Sequence, residues 1–172
     1  MKSGLKNTLV LVAICAVMAL LMALTHFVTA PVISENEAKA TQKALQQVMP
    51  AGQDFKEVAL PDMLPDTVIE AYREVGGGYV LKLQTAGYGT EFIIMCGVDA
   101  NGVVTGAVCL SSNETLGYEK SFGERFVGLD GKGAGEVDTV AGATRTTGAY
   151  RAAVSDAIKA AALLRAAEGE VQ

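Results

Sequence analysis

An α+β fold carried on a single N-terminal membrane-spanning helix is predicted for this chain, and three observations predict it. Residues 9–24 are an unbroken run of Leu, Val, Ala, Ile, Cys and Met. Between 68 and 110, four segments rich in β-branched and alternating apolar residues are separated by glycine-bearing turns. After them, Tyr150, Val154, Ala157, Ile158, Ala161 and Leu164 recur at helical spacing. A sheet of neighbouring strands with a helix laid on it is the arrangement that such an order produces.

The N-terminal run continues to Ala30 with only Thr25, His26 and Thr29 interrupting. As a helix, residues 9–30 would span roughly 33 Å, enough to cross a bilayer core. A cleaved signal peptide is the alternative, with Val28-Thr29-Ala30 as the small-residue cleavage site. Pro31 directly after that site and an apolar core longer than a signal sequence needs both favour an uncleaved anchor. Lys2 and Lys6 precede the span, and Lys39 and Lys43 follow it, so the positive-inside margin is thin. The cations nearest the membrane edge are N-terminal and the opposite flank opens with Glu35 and Glu37, which places the N-terminus in the cytoplasm and residues 31–172 outside it. His26 falls at the outer interface.

From Pro31 a juxtamembrane helix is expected over about 32–49, started by the capping-box pair Ser34 and Glu37 and ended by Pro50-Ala51-Gly52. Residues 60–65, with two prolines, read as a connector. Strands follow at 68–75 and 79–84 around the Gly76-Gly77-Gly78 turn, then a hairpin of 92–98 and 103–110 about Asn101-Gly102. Together they make a meandering antiparallel sheet. With Asn101-Gly102 as a two-residue loop, Cys96 faces Ala107 and Cys109 is its diagonal neighbour, roughly 7–8 Å away and too far for an unstrained disulfide. Free buried thiols are expected, with a disulfide as the alternative. A last helix over about 147–168 packs on the sheet. The organisation is therefore an anchor (1–30), a juxtamembrane helix and connector (31–66), and a folded domain (67–172).

The roughly 140 residues beyond the anchor suffice for one core and are too few for two ordinary domains. A net charge of −5 and the absence of Trp argue against nucleic acid, which wants a basic surface and stacking platforms. One His and three scattered Cys give no metal-ligand spacing.

Three segments could hold a ligand. Ala86-Gly87-Tyr88-Gly89 lies between strands, and its glycines allow close backbone approach. Ser111-Ser112-Asn113-Glu114-Thr115-Leu116-Gly117-Tyr118 follows the hairpin with a cluster of polar groups. Asp138-Thr139-Val140-Ala141-Gly142-Ala143-Thr144-Arg145-Thr146-Thr147 comes just before the last helix. There Gly142 and Ala143 leave space, and Thr144, Thr146 and Thr147 offer hydroxyls beside the free amides of a helix start, which suits a phosphate. The alternative is that Thr146 or Thr147 simply caps the helix. Glu114 has a parallel choice between a ligand environment and turn stabilisation. Gly131-Lys132-Gly133-Ala134-Gly135 lacks the spacing of a phosphate loop, and Lys132 reads as a solvated lysine.

An anchor, a Gly-Tyr-Gly loop, the turn Val98-Asp99-Ala100-Asn101-Gly102, then Asn113-Glu114-Thr115-Leu116-Gly117 and Asp138-x-x-Ala141-Gly142-Ala143-Thr144 form an ordered set along almost the whole chain. That set resembles the FMN-binding subunits of membrane redox complexes, most closely the G subunit of Rnf-type electron transport complexes, with the C subunit of the sodium-pumping NADH:quinone reductase as a near relative. The resemblance implies an FMN-binding domain over 67–172 and one FMN joined covalently to Thr144 as a phosphoester by a dedicated flavin transferase. It also implies that Asp138 is recognised by that transferase. Gly142, Ala143, Thr146, Thr147, Glu114, Thr115, Leu116, Gly87 and Tyr88 are the further candidates to line the flavin site. Two positions depart from the motif: Ala141 stands where Ser or Thr is usual, and the Glu-Thr-Leu-Gly loop lacks the proline often found after its threonine. Neither removes the acceptor oxygen.

As the resemblance implies, the chain would relay electrons inside a complex that couples ferredoxin and NAD redox chemistry to sodium or proton translocation. Its partners would be the other subunits, the bilayer and, during maturation, the transferase. No residue is expected to act as a catalytic acid, base or nucleophile, and no metal is expected, since a flavin carries its own redox chemistry. A tether keeps it at high effective concentration beside its pocket. The ion path is expected in other subunits, because the span holds no Asp, Glu, Lys or Arg.

Overall fold

The computed structural model describes residues 2–169, with the side chains of 2–6, 34 and 37 outside the described set. It forms two compact units, Met1–Gln42 and Lys43–Gln172.

The first unit is most of helix α1 (Lys2–Val48), which carries Pro31 inside it. The large apolar side chains from Leu9 to Val28 are exposed, and by length and composition this helix can cross a membrane. Two hydroxyls that interrupt the apolar run turn back to the helix: Thr25 Oγ1 donates to the Leu21 carbonyl at 2.8 Å and Thr29 Oγ1 to the Thr25 carbonyl at 2.7 Å. Their polarity is thereby satisfied without solvent. No new helix begins after Pro31, contrary to the sequence reading. Proline removes one donor and bends a helix, but the Ala-, Glu- and Lys-rich residues after it favour helix strongly enough to continue. The Ser34 and Glu37 side chains of the expected capping box lie outside the described residues, as do those of Lys2 and Lys6.

In the second unit, five strands form an antiparallel meander in the order β1 (Lys56–Val58), β2 (Val68–Arg73), β3 (Tyr79–Thr85), β4 (Phe92–Val98) and β5 (Val104–Ser112). Strand β1 is a three-residue edge within a segment too short and polar to show a period. Side chains alternate between two cores, as pleating requires. On one face Val80 and Met95 pack with Ala44, Leu45, Val48 and Met49 from the end of α1. On the other, Leu81, Leu83, Phe92, Ile94 and Cys96 pack under helix α4 (Thr144–Gly169), whose Ala153, Ala157 and Ala161 let it come close.

The hairpin register matches the expectation at its centre, with Cys96 opposite Ala107. Its turn does not. Asp99 N–H donates to the Val103 carbonyl at 2.9 Å and Gly102 N–H to the Asp99 carbonyl at 3.1 Å, so the loop is the three residues 100–102, with Gly102 at φ +82°. The cause is Asp99, whose Oδ1 accepts from the N–H groups of Asn101 at 2.8 Å and Val103 at 2.9 Å and stabilises the longer turn. A bulge between Gly97 and Val98 absorbs the extra residue and restores the register. Gly97 and Gly106, paired across the strands, form a notch for the end of α1: a Cβ on either would lie 2.7 Å from the Val48 carbonyl oxygen. Thr105 Oγ1 donates to that same oxygen at 2.6 Å.

Between β5 and α4 come α2 (Glu119–Phe122), a 3₁₀ turn (Gly123–Phe126) and α3 (Gly131–Glu136). The glycine-rich run at 131–135 is thus helical, with Asp130 as its cap accepting from Gly133 N–H at 2.8 Å. Phe92, Phe122 and Phe126 surround Tyr150 with ring centroids 5.6 to 5.8 Å from it, which clamps α2 and the 3₁₀ turn to α4. Burial pushes the Cys96 thiol up to about 12, and Cys15, Cys96 and Cys109 are free.

On the strands β2 and β3, Lys82 Nζ and the Tyr72 hydroxyl each donate to the Glu70 carboxylate at 2.6 Å. Burial raises the Glu70 pKa, but these hydrogen bonds and the Lys82 charge outweigh it, and the net shift is downward from 4.5. The unfolded chain therefore binds the proton more readily, so this contribution to stability is complete above about pH 4.5 and is lost as pH falls through the lower folded value. In urea titrations across that window, Glu70→Gln should flatten the acid loss by about 0.5–1 kcal/mol, the scale of a partly exposed pair. An unchanged profile would place the acid sensitivity elsewhere.

Candidate functional site

The cavity that brings together most of the predicted residues is about 440 Å³ and is walled by Tyr88, Glu114, Thr115, Leu116, Tyr118, Glu119 and residues 142–146. Its size is within the range of small-molecule sites. Three chain segments build it, and one side chain ties them. Glu114 Oε1 accepts from Gly89 N–H at 3.0 Å, and its Oε2 accepts a very short bond from Thr146 Oγ1. Gly87 makes this possible, because a Cβ there would collide with the Glu114 carboxylate and lie 3.1 Å from the Thr146 Cα. At Gly89 an added Cβ would lie 3.0 Å from the Asn113 carbonyl oxygen. The two glycines hold the loop against 113–114 and leave Tyr88 exposed at the cavity wall.

The first turn of α4 forms another wall. Gly142 has φ +84° and open space about its Cβ position, so the backbone bends sharply and nothing crowds the approach. Ala143 N–H donates to the Val140 carbonyl at 3.0 Å, and Thr147 N–H to the Ala143 carbonyl at 2.9 Å, the first bond of the helix. Helix geometry then leaves the N–H groups of Thr144, Arg145 and Thr146 without an intrahelical acceptor. The helix begins at Thr144, three residues before the start predicted from apolar spacing, so the threonines belong to its first turn rather than to a preceding loop.

The hydroxyls of that turn have separate fates. Thr147 is buried; its Oγ1 donates to the Ala143 carbonyl at 2.9 Å and accepts from Val140 N–H at 3.1 Å, which fixes the helix start. Thr146 is buried and bonded to Glu114. Thr144 is exposed on the cavity wall, with its Oγ1 3.5 Å from the Val140 carbonyl, a marginal bond. Arg145 beside it adds a cation. An exposed hydroxyl, three free amides and a guanidinium suit a phosphate. The exposed Tyr88, Leu116 and Tyr118 supply apolar surface for an aromatic ring. These features fit FMN.

Of the predicted residues, Gly142, Ala143, Thr144, Thr146, Glu114, Thr115, Leu116 and Tyr88 line the cavity, while Gly87 and Thr147, also expected there, do not. Asp138 is exposed and forms no part of the wall. Arg151 Nη1 donates to the Val137 carbonyl at 3.0 Å and holds that approach in place. Tyr118 and Arg145 lie in segments that the sequence offered for a ligand but were not singled out there, and Glu119 was missed. Arg145 was visible as a cation next to Thr144; Glu119 gave no signal, because a four-residue helix has no readable period.

Residues 1–48 match the family described as RnfG N-terminal region, and residues 87–159 match the FMN-binding domain family. All of the cavity residues fall within the second match. The chain is 31% identical to the G subunit of the Na(+)-translocating ferredoxin:NAD(+) oxidoreductase complex of Acetobacterium woodii, over 90% of this chain and 89% of that protein. It is 26% identical to the G subunit of the ion-translocating oxidoreductase complex of Methanosarcina acetivorans, over 89% of this chain and 92% of that one.

Proposed function

The chain belongs to the family of Rnf complex G subunits, and from that premise we propose that it is a membrane-anchored electron-relay subunit whose FMN is bound covalently to Thr144. The observation that carries the covalent reading is the isolation of Thr144: of the three hydroxyls in the turn, it alone is exposed at the cavity. In this reading a flavin transferase that recognises the exposed Asp138 takes FMN from a flavin dinucleotide: the Thr144 oxygen loses its proton and bonds the flavin-side phosphorus as the phosphoanhydride breaks and the nucleoside monophosphate leaves. The amides of α4 and Arg145 neutralise the phosphate. Tyr88, Leu116 and Tyr118 flank the ring and keep part of it from water, and Glu114 holds the three segments in register. The bound flavin supplies one- and two-electron chemistry, and the chain fixes its position.

The ferredoxin, NAD and sodium in the name of the Acetobacterium woodii relative suggest the reaction served here, with the coupling ion sodium or a proton. A span without charged residues supports an ion path in other subunits. We place the N-terminus in the cytoplasm and the folded unit outside, in a cell membrane, with the other subunits of the complex as partners. The competing reading is a G subunit whose FMN is held without a covalent bond, and the family match sets aside a C-type subunit of a sodium-pumping quinone reductase.

The full chain, coexpressed with a flavin transferase and denatured on a gel, should fluoresce under ultraviolet light. Protease added to spheroplasts of the same cells should digest the folded unit without lysis. A dark band would refute covalent FMN, and protection until lysis would refute the orientation.

A further inference from the structure

The carboxylate of Glu119 is buried with one oxygen left over. Glu119 is 2% exposed and opens α2, which Phe122 pins into the aromatic cluster. Its Oε1 accepts from Ser112 Oγ at 2.8 Å, and its Oε2 is buried with no hydrogen-bond partner among the described residues. Burying such an oxygen unpaired forfeits its hydration without return. The residue nevertheless contributes to the wall of the cavity that holds Thr144. The other wall carboxylate, Glu114, has both oxygens engaged, by Gly89 N–H and Thr146 Oγ1.

An acceptor in a flavin pocket has few donors to meet. On the oxidised isoalloxazine ring N1, O2, O4 and N5 all accept, and N3–H is the ring's one donor; the ribityl hydroxyls are the others. We propose that Glu119 is a positioning residue for the ring: when FMN is seated, the carboxylate, held through Oε1 by Ser112, turns so that Oε2, sealed from the cavity in this structure, accepts the hydrogen bond from N3–H. This rests on the FMN reading of the cavity. An acceptor facing the pyrimidine edge also disfavours reduction, because that edge becomes richer in electrons when the ring is reduced. Glu119 therefore holds the midpoint potential down as well as seating the ring.

The test compares Glu119→Gln with wild type, each as the full detergent-solubilised chain coexpressed with the transferase. With Ser112 donating to the amide oxygen, glutamine turns an N–H₂ donor toward N3–H in place of an acceptor. In-gel fluorescence should stay at the wild-type level, since the tether is untouched. The oxidised-to-reduced equilibrium should move toward reduction by about tenfold, which for a two-electron couple is ~30 mV. Quenching of flavin fluorescence by iodide should increase. Should the glutamine variant not fold, Glu119→Ala deletes the acceptor without adding a donor and should shift the potential in the same direction. A fully loaded variant with unchanged potential and quenching would overturn the proposal, including in favour of a ribityl contact, which leaves the potential where it is. A dark wild-type band refutes the tether separately; titration with free FMN then decides for Glu119, with tenfold weaker binding by Glu119→Gln supporting it and equal binding overturning it.

Discussion

Thr144→Ala is expected to give a completely dark band on a denaturing gel under conditions in which the wild type fluoresces. The expectation follows from how the three hydroxyls of one helical turn are divided. Thr147 Oγ1 closes the helix start through Ala143 and Val140, and Thr146 Oγ1 is held by Glu114. Of the three, only Thr144 is exposed at the cavity wall, in a first turn whose amides lack intrahelical acceptors. Thr146→Ala and Thr147→Ala should therefore keep the fluorescence and instead lose about 1–3 kcal/mol of stability, as buried partners are left unpaired. Thr144→Ser, which retains the hydroxyl, should remain labelled. If the Thr146 or Thr147 variant were dark while folded, the acceptor would have been misassigned.

Gly123→Ala is expected to be the most damaging single methyl in the folded unit, costing about 3–5 kcal/mol of the roughly 5–15 kcal/mol typical of a domain. A Cβ at this position would overlap the Ala107 carbonyl oxygen of β5 and the Tyr150 hydroxyl. One obstacle is backbone in the sheet and the other is a ring packed against three phenylalanines, so neither can yield. The 3₁₀ turn must lift off instead, carrying Phe122, Phe126 and Glu119 with it. Gly102→Ala is the control. Gly102 has φ +82° but nothing within 4 Å of its Cβ position, so alanine there meets strain alone, about 1–2 kcal/mol. Urea midpoints of the two variants should differ clearly. Equal losses would mean that the turn is looser than its packing implies.

The sheet is legible in the sequence because pleating leaves a mark of period two: Leu81 and Leu83 belong to one core and Val80 to the other. The same alternation puts Cys96 opposite Ala107, although the turn between their strands differs from the one expected. What alternation does not show is the Asp99 carboxylate bonding to two amides, which selects a three-residue loop over the shorter one that Asn-Gly favours. Pro31 misleads for a related reason: a local breaker weighs less than the helix-forming sequence around it. In the site, the motif residues Gly142 and Thr144 are legible from residue type and order. Gly87 and Glu114 are legible as members of loops, but their joint role, a glycine vacating space for a carboxylate that binds Thr146, exists only once segments distant in sequence are brought together. Glu119 lies deeper still. Its significance is an oxygen without a partner among the described residues, a property of packing that composition and spacing do not encode.

The most direct test of the central claim is the mass of the tryptic peptide that follows Lys132 and ends at Arg145, or at Arg151 if the modification blocks cleavage. From chain matured with the flavin transferase, it should be heavier than the unmodified peptide by FMN less one water, and fragmentation should place the addition on Thr144. An unmodified mass throughout, or an addition that fragments onto Thr139, Thr146 or Thr147, would contradict it.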